Sequence, residues 1–388
     1  MAPGSKNKKR DTGRIPASEL TDDLLVEIFS RMTYRNTVRC KCVCRRWRDV
    51  VSHPDNRKKL PQTLAGFFYE SEDKNRFPER ARHFASVEER YCFPRFDPSL
   101  SFLPKCERID ILDCCNGLLL CRRWKSTTHP ETLDYVVCNP ATEKWAAVPA
   151  TSWSSQARFA RLAFDPAVSS QFHVFEFVTV FEEQKDIKGY RHRIISVRIY
   201  SPKNAVWIHK FCGLGISIML HEGSKSVFSG GMLYLLTFDL VAAVDLLGDT
   251  WGVIWINRTP DSYRARAHEI YLSQGQLYMS NIADSKISIW VLEDSTSGKW
   301  ALTHNVSYSQ LPRASHQMYG HEYDVISVHP ERSEIFIVCG YSKALISHDM
   351  HSGKQRIISH LESDCRTPYF SYVPLFSEIV IDRCSLEA

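Results

Sequence analysis

From Leu20 to Val51 the apolar residues return at helical spacing, whereas from about Cys106 onward they come in short, strand-length runs broken by turn residues. The pattern predicts two architectures in series. In the first, Leu24, Leu25, Ile28, Phe29 and Met32 fall at i, i+1, i+4, i+5 and i+8, which predicts one apolar stripe with Asp22, Asp23, Glu27 and Arg31 on the other side. Thr21 suits the N-cap, and the two aspartates after it suit the positive end of the helix. Asn36 is expected to cap a second helix carrying Val38 and Val43. Trp47, Val50 and Val51 belong to a third, ended by His53-Pro54. Short helices of about thirty residues bury little by themselves, so a partner surface is their natural completion.

The strand-rich remainder repeats. A glycine-led apolar strand opens each unit, at Asn116-Gly117-Leu118, Gly230-Gly231-Met232 and Gln274-Gly275-Gln276, and a later polar turn ends on Trp145, Trp207, Trp251 or Trp300. Asp349 to Gln355 repeats the turn with Gln in the Trp place. The intervals from Trp145 are 62, 44, 49 and 55 residues, a length that suits four-stranded propeller blades. Five units are visible, and 62–105 with the last residues can supply one or two more, so about six or seven blades are expected. The tryptophans are expected to be buried anchors.

Composition narrows the function. With 49 basic and 44 acidic residues the net charge is +5, too balanced for binding nucleic acid through bulk charge. The first ten residues lack an apolar signal core, and the most apolar long stretch, 232–247, is interrupted by Asp239 and Asp245. No membrane partner is expected, and the thirteen cysteines are expected to be reduced, in nucleus or cytoplasm. The basic run Lys6 to Arg10 reads as a nuclear-import signal or as a solvated tail.

Catalytic patterns do not assemble. Cys40, Cys42 and Cys44 lack a histidine at finger-like spacing, and on one helix Cys42 would face away from the other two, so no metal is assigned. His268-Glu269 and His321-Glu322 belong to no metalloprotease array and read as turn or rim groups. Asn116, Asn139 and Asp165 each adjoin Gly or Pro, which makes turn formation the economical reading. No cofactor is expected.

Residues Leu20 to Met32, followed by Val38-Arg39-Cys40-Lys41-Cys42-Val43-Cys44-Arg45-Arg46-Trp47-Arg48, closely resemble the plant F-box. Downstream, Asp113 to Cys121, Cys138 to Thr142, Leu162 to Pro166, Ile289 to Asp294 and His329 to Arg332 resemble plant F-box-associated domains, which are propeller-like. The resemblance implies a small all-α F-box followed by an all-β propeller-like domain. Its organisation is a disordered basic tail at 1–14, the F-box at 15–60, a linker or irregular first blade at 61–105 and the cargo domain at 106–388. It implies a non-catalytic substrate receptor of an SCF-type cullin ubiquitin ligase, with a Skp-type adaptor as partner and the cullin reached through it. Leu20, Leu24, Leu25, Ile28, Phe29, Met32, Val38, Val43, Cys44 and Trp47 are the adaptor-binding candidates. The cargo protein and its binding residues are unassigned. Two alternatives stay open: a propeller lectin or enzyme, and an F-box scaffold acting outside ubiquitination.

Overall fold

Thr21 starts the first helix as expected, its Oγ1 accepting the Leu24 N–H at 3.4 Å. The structure, a computed structural model, describes residues 19–375 apart from 33, 58, 61–63, 74, 76–79, 88–96, 107, 125–132, 155–158, 184–189, 221–223, 238–239, 257–265, 284 and 313–322. The basic run Lys6 to Arg10 and the pair His321-Glu322 lie outside the described residues. By its internal contacts the chain divides into Met1–Pro61 and Gln62–Ala388.

The first unit is helical: α1 (Asp22–Ser30), α2 (Tyr34–Cys40), α3 (Arg45–Ser52) and α4 (Pro54–Arg57). Leu25, Val26, Phe29, Cys40, Val50 and Leu60 form its core, with Leu20, Met32, Trp47 and Val51 packed at the margin. Phe29 and Trp47 meet edge to face with ring centroids 5.1 Å apart. Asn36 does not cap α2, which starts two residues earlier; the Thr37 hydroxyl donates to the Phe29 carbonyl at the end of α1 and fixes this turn inside the helix. Val43 lies beyond α2, in a turn closed by Cys42 N–H to Arg39 O and Val43 N–H to Cys40 O. Cys40, Cys42 and Cys44 therefore share no helix, and Cys44 becomes the N-cap of α3, its Sγ accepting from Trp47 N–H at 3.4 Å.

The second unit is a six-bladed β-propeller, all antiparallel. Its first blade begins with β1 (Gly66–Glu72) and β2 (Arg80–Ser86). The second is β3 (Arg108–Cys115), β4 (Leu118–Trp124), β5 (Leu133–Asn139) and β6 (Lys144–Val148). The third is β7 (Phe159–Ala163), β8 (His173–Glu183), β9 (Tyr190–Ser201) and β10 (Val206–Phe211), with β11 (Met219–Leu220) added to β9. The fourth is β12 (Ser226–Ser229), β13 (Met232–Leu236), β14 (Leu240–Asp245) and β15 (Trp251–Trp255). The fifth is β16 (Arg266–Ser273), β17 (Gln276–Ala283), β18 (Lys286–Asp294) and β19 (Lys299–Ser307). The sixth is β20 (Tyr323–Val328), β21 (Glu334–Cys339), β22 (Ala344–Asp349) and β23 (Gln355–His360). The final strand, β24 (Cys365–Tyr372), returns to pair with β1 and completes the first blade. One composite blade thus uses both ends of the unit, which is why the count is six and no seventh appears. The repeat is also shifted by one strand: Asn116-Gly117, Gly230-Gly231 and Gln274-Gly275 join the first and second strands of a blade and do not open it. Gly117, at φ +87°, is held there by more than its turn, since a Cβ would lie 2.6 Å from the Val373 carbonyl oxygen.

Strands β24, β3, β7, β12, β16 and β20 ring the axis, and apolar clusters fill the seams between neighbouring blades. Trp145, Trp207, Trp251 and Trp300 pack on these clusters but are only half-buried. They stand on β6, β10, β15 and β19, the outermost strand of each sheet, where no further strand of the blade covers them.

Candidate functional site

The outward side of α1 departs from the single predicted stripe. Consecutive residues on a helix differ by about 100°, so Leu25, Val26 and Phe29 can face the core only by turning Leu24 and Ile28 outward. Leu25 and Phe29 are 1% exposed, whereas Leu24 is 51% and Ile28 44% exposed, one turn apart beside the Glu27–Arg31 ion pair. Val43, 62% exposed, adds a third apolar group from the turn before α3. Arg46 binds Asp22 at 2.8 Å and also donates to the Leu20 carbonyl, tying the start of α3 to the start of α1.

The predicted site residues consequently separate. Leu24, Ile28 and Val43 present apolar surface; Leu25 and Phe29 are core; Leu20, Met32 and Trp47 are half-buried against it; Cys44 is exposed while it caps α3. Val38 lies in α2, and its side chain is outside the described residues. Val26, omitted from the predicted stripe, is 4% exposed and belongs to the core.

Around the propeller axis runs a closed belt of polar links, one at each seam. Cys114 Sγ donates to Ser371 O at 3.1 Å, and Leu162 N–H donates to Asp113 Oδ2 at 2.8 Å. The Arg161 guanidinium reaches Ser224 O, and Lys225 Nζ lies 3.2 Å from a Glu269 carboxylate oxygen. Tyr271 OH donates to Val325 O at 2.7 Å, and Ser371 Oγ to Ser327 Oγ at 2.9 Å, which returns to the first blade. Burial raises the Asp113 and Glu269 carboxyls above their usual range, Glu269 to about 7 although Lys225 opposes the shift. Burial also lowers Arg161, with Asp113 opposing. Glu269 is thus an axial group on β16, not the turn or rim group expected, because its strand is the innermost of its blade. The signal was present in the sequence as single charges inside apolar strand runs, Leu112-Asp113-Cys114 and Ala160-Arg161-Leu162.

Asn116, Asn139 and Asp165 do serve turns. Asn139 Oδ1 accepts from Ala141 N–H, and Asp165 Oδ1 from Ala167 N–H; Asn116 sits at φ 47° and also donates to Phe164 O across a seam. Cys114 and Cys115 point to opposite neighbours, Cys115 Sγ donating to Phe164 O. His304 and His348 link the fifth and sixth blades, Nε2 to Nε2 at 2.8 Å with ring centroids 5.0 Å apart. Two imidazole nitrogens aimed head-on share a proton rather than converge on a cation. Among the described residues no cluster of three metal-ligating side chains occurs, and no helix is long and apolar enough to cross a membrane.

Residues 17–59 match the F-box domain family. An F-box protein of Arabidopsis thaliana is 25% identical over 352 residues, spanning 83% of this chain and 79% of its own length. An F-box/kelch-repeat protein of the same plant is 24% identical over 371 residues, spanning 87% and 82%. Among solved structures, a chain of the nidogen/laminin complex aligns with a TM-score of 0.39 at 9% identity, over 80% of this chain and 94% of that one. With a match to the F-box family at 17–59 and six blades in the unit that follows it in sequence, the chain carries an F-box domain and a C-terminal six-bladed β-propeller domain.

Proposed function

We propose that the chain is the substrate-recognition subunit of an SCF-type cullin ubiquitin ligase, working in nucleus or cytoplasm. The F-box docks a Skp-type adaptor and through it the cullin, while the propeller holds the protein to be ubiquitinated. The observation that carries this is Leu24 and Ile28: two aliphatic side chains exposed one turn apart, on a helix whose other face is fully used in its own core. Val43, exposed in the turn before α3, is a further apolar group for the adaptor, and Leu20, Leu25, Phe29, Met32, Cys44 and Trp47 shape the helices that present Leu24 and Ile28. The receptor contributes proximity: cargo lysines held near a charged thioester have a high effective concentration, and the receptor needs no nucleophile of its own.

The test is the double substitution Leu24→Asp, Ile28→Asp in the full chain. Docking buries the half of each side chain still exposed, and each introduced carboxylate adds a desolvation penalty. The combined loss is about 3 kcal/mol or more, a hundredfold or greater weakening of adaptor binding. Circular dichroism and cargo binding should be unchanged, and Glu27→Ala should bind adaptor nearly normally. Capture of adaptor and cullin by the doubly substituted chain at the wild-type level would overturn the proposal; recovery of adaptor without cullin from the unaltered chain would favour the scaffold reading.

A further inference from the structure

The helical unit that carries Leu24, Ile28 and Val43 also carries arginine side chains that its own fold does not pair. Between positions 39 and 49 five basic residues, Arg39, Lys41, Arg45, Arg46 and Arg48, stand against one carboxylate, Asp49. Five minus one leaves +4, most of the +5 carried by the whole chain, in eleven positions. Arg46 is engaged with Asp22 and the Leu20 carbonyl. Arg39, Arg45 and Arg48 are exposed, and among the described residues their side chains make no ion pair or hydrogen bond. Because Trp47, Val50 and Val51 turn inward on α3, Arg45 and Arg48 stand on its opposite side. The Arg46–Asp22 bond holds the start of α3 at the start of α1, so Val43 and Arg45 adjoin the end of α1 that carries Leu24.

Like charges gathered without partners repel one another and give the isolated unit nothing in return. We propose that this face is built for a protein partner whose apolar groove is rimmed with carboxylates, and that Arg39, Arg45 and Arg48 steer the encounter before Leu24, Ile28 and Val43 are buried. This rests on the adaptor-docking reading above and specifies the chemistry of the adaptor's side of that contact. A phosphate backbone would satisfy the arginines but would leave the three apolar side chains uncovered, so an acidic protein fits better than a nucleic acid.

Steering acts on the association rate and is screened by salt, whereas the apolar contact governs dissociation. The experiment is the kinetics of the full chain with a purified Skp-type adaptor between about 0.05 M and about 0.5 M salt. The association rate of the wild type should fall about tenfold or more across that range, with dissociation nearly constant. The triple variant Arg39→Ala, Arg45→Ala, Arg48→Ala should associate about tenfold more slowly at low salt and lose most of the salt dependence. The corresponding triple Lys variant, which keeps the charge, should retain it. A wild-type rate indifferent to salt, or an Ala variant kinetically equal to wild type, would overturn the steering proposal while leaving adaptor docking intact. No adaptor binding at any salt by a chain with an intact helical spectrum would overturn both. Retention of duplex DNA by the wild type, abolished in the Ala variant, would assign the arginines to a polyanion and overturn the proposal.

Discussion

An indole covered on one side contributes less than one sealed in a core, and this sets the expectation for the four blade tryptophans. Complete burial would make Trp→Ala worth about 3 to 5 kcal/mol. Half-burial on an outermost strand reduces that to about 1.5 to 3 kcal/mol. Trp207, whose Nε1 donates to Pro149 O at 2.8 Å, should lie at the upper end, and Trp300, whose buried Nε1 has no partner among the described residues, at the lower. Urea titration of the two Ala variants checks the order. Glu269 supplies a pH dependence. Its carboxyl titrates near 7 in the folded chain and near 4.5 in an ordinary environment, so the fold favours the neutral form. The stability this group contributes is present below about 4.5 and is lost as pH rises through about 7. Glu269→Gln, a permanent neutral mimic, should therefore lose less stability between pH 5 and 8 than the wild type does, measured by denaturant midpoints. A steeper loss in the variant would show that the Lys225 pair outweighs burial.

At the scale of single helices and strands, what could be read from the sequence was whatever is fixed locally. Thr21 announced the start of α1, and His53-Pro54 the end of α3, because a cap or a proline acts on its own neighbours. The glycine turns and the Trp-ended turns announced five blades for the same reason. What was illegible depended on contacts distant in sequence. Leu24 and Leu25 are both apolar, and only the packing of α1 against α3 decides that Leu25 is core and Leu24 is surface. Asn36 has the chemistry of a cap, yet the Thr37 hydroxyl bond to Phe29 O carries the helix past it. Asp113 and Arg161 are single charges among apolar neighbours, and Glu269 with His268 reads as a turn or rim group. Their shared purpose emerges only when four strands far apart in the chain meet at one axis.

For the whole molecule, the division after Pro61 separates two cores that share no cluster. A chain starting at Gln62 should therefore melt cooperatively with a strand-dominated circular dichroism spectrum. Removing β24 from that chain should abolish the cooperative transition, because it unpairs β1 and breaks the axial belt at both Ser371 links. Persistence of one sharp transition in the truncated chain would show that five blades suffice without the closing strand.

The pairing of β1 with β24 also fixes an order of events during synthesis. Gly66 leaves the ribosome about three hundred residues before its partner Tyr372, so the first blade waits as an open hairpin until the other five blades have been made. The helical unit, finished by about residue 60, needs nothing that comes later. A message truncated between about residue 61 and residue 365 would therefore release a product with a finished helical unit and an unsealed ring, one that on the proposed function would occupy adaptor while delivering no cargo. If the proposed docking holds, such a product would compete with its own full-length form, because the apolar and basic groups assigned to docking all lie before residue 50.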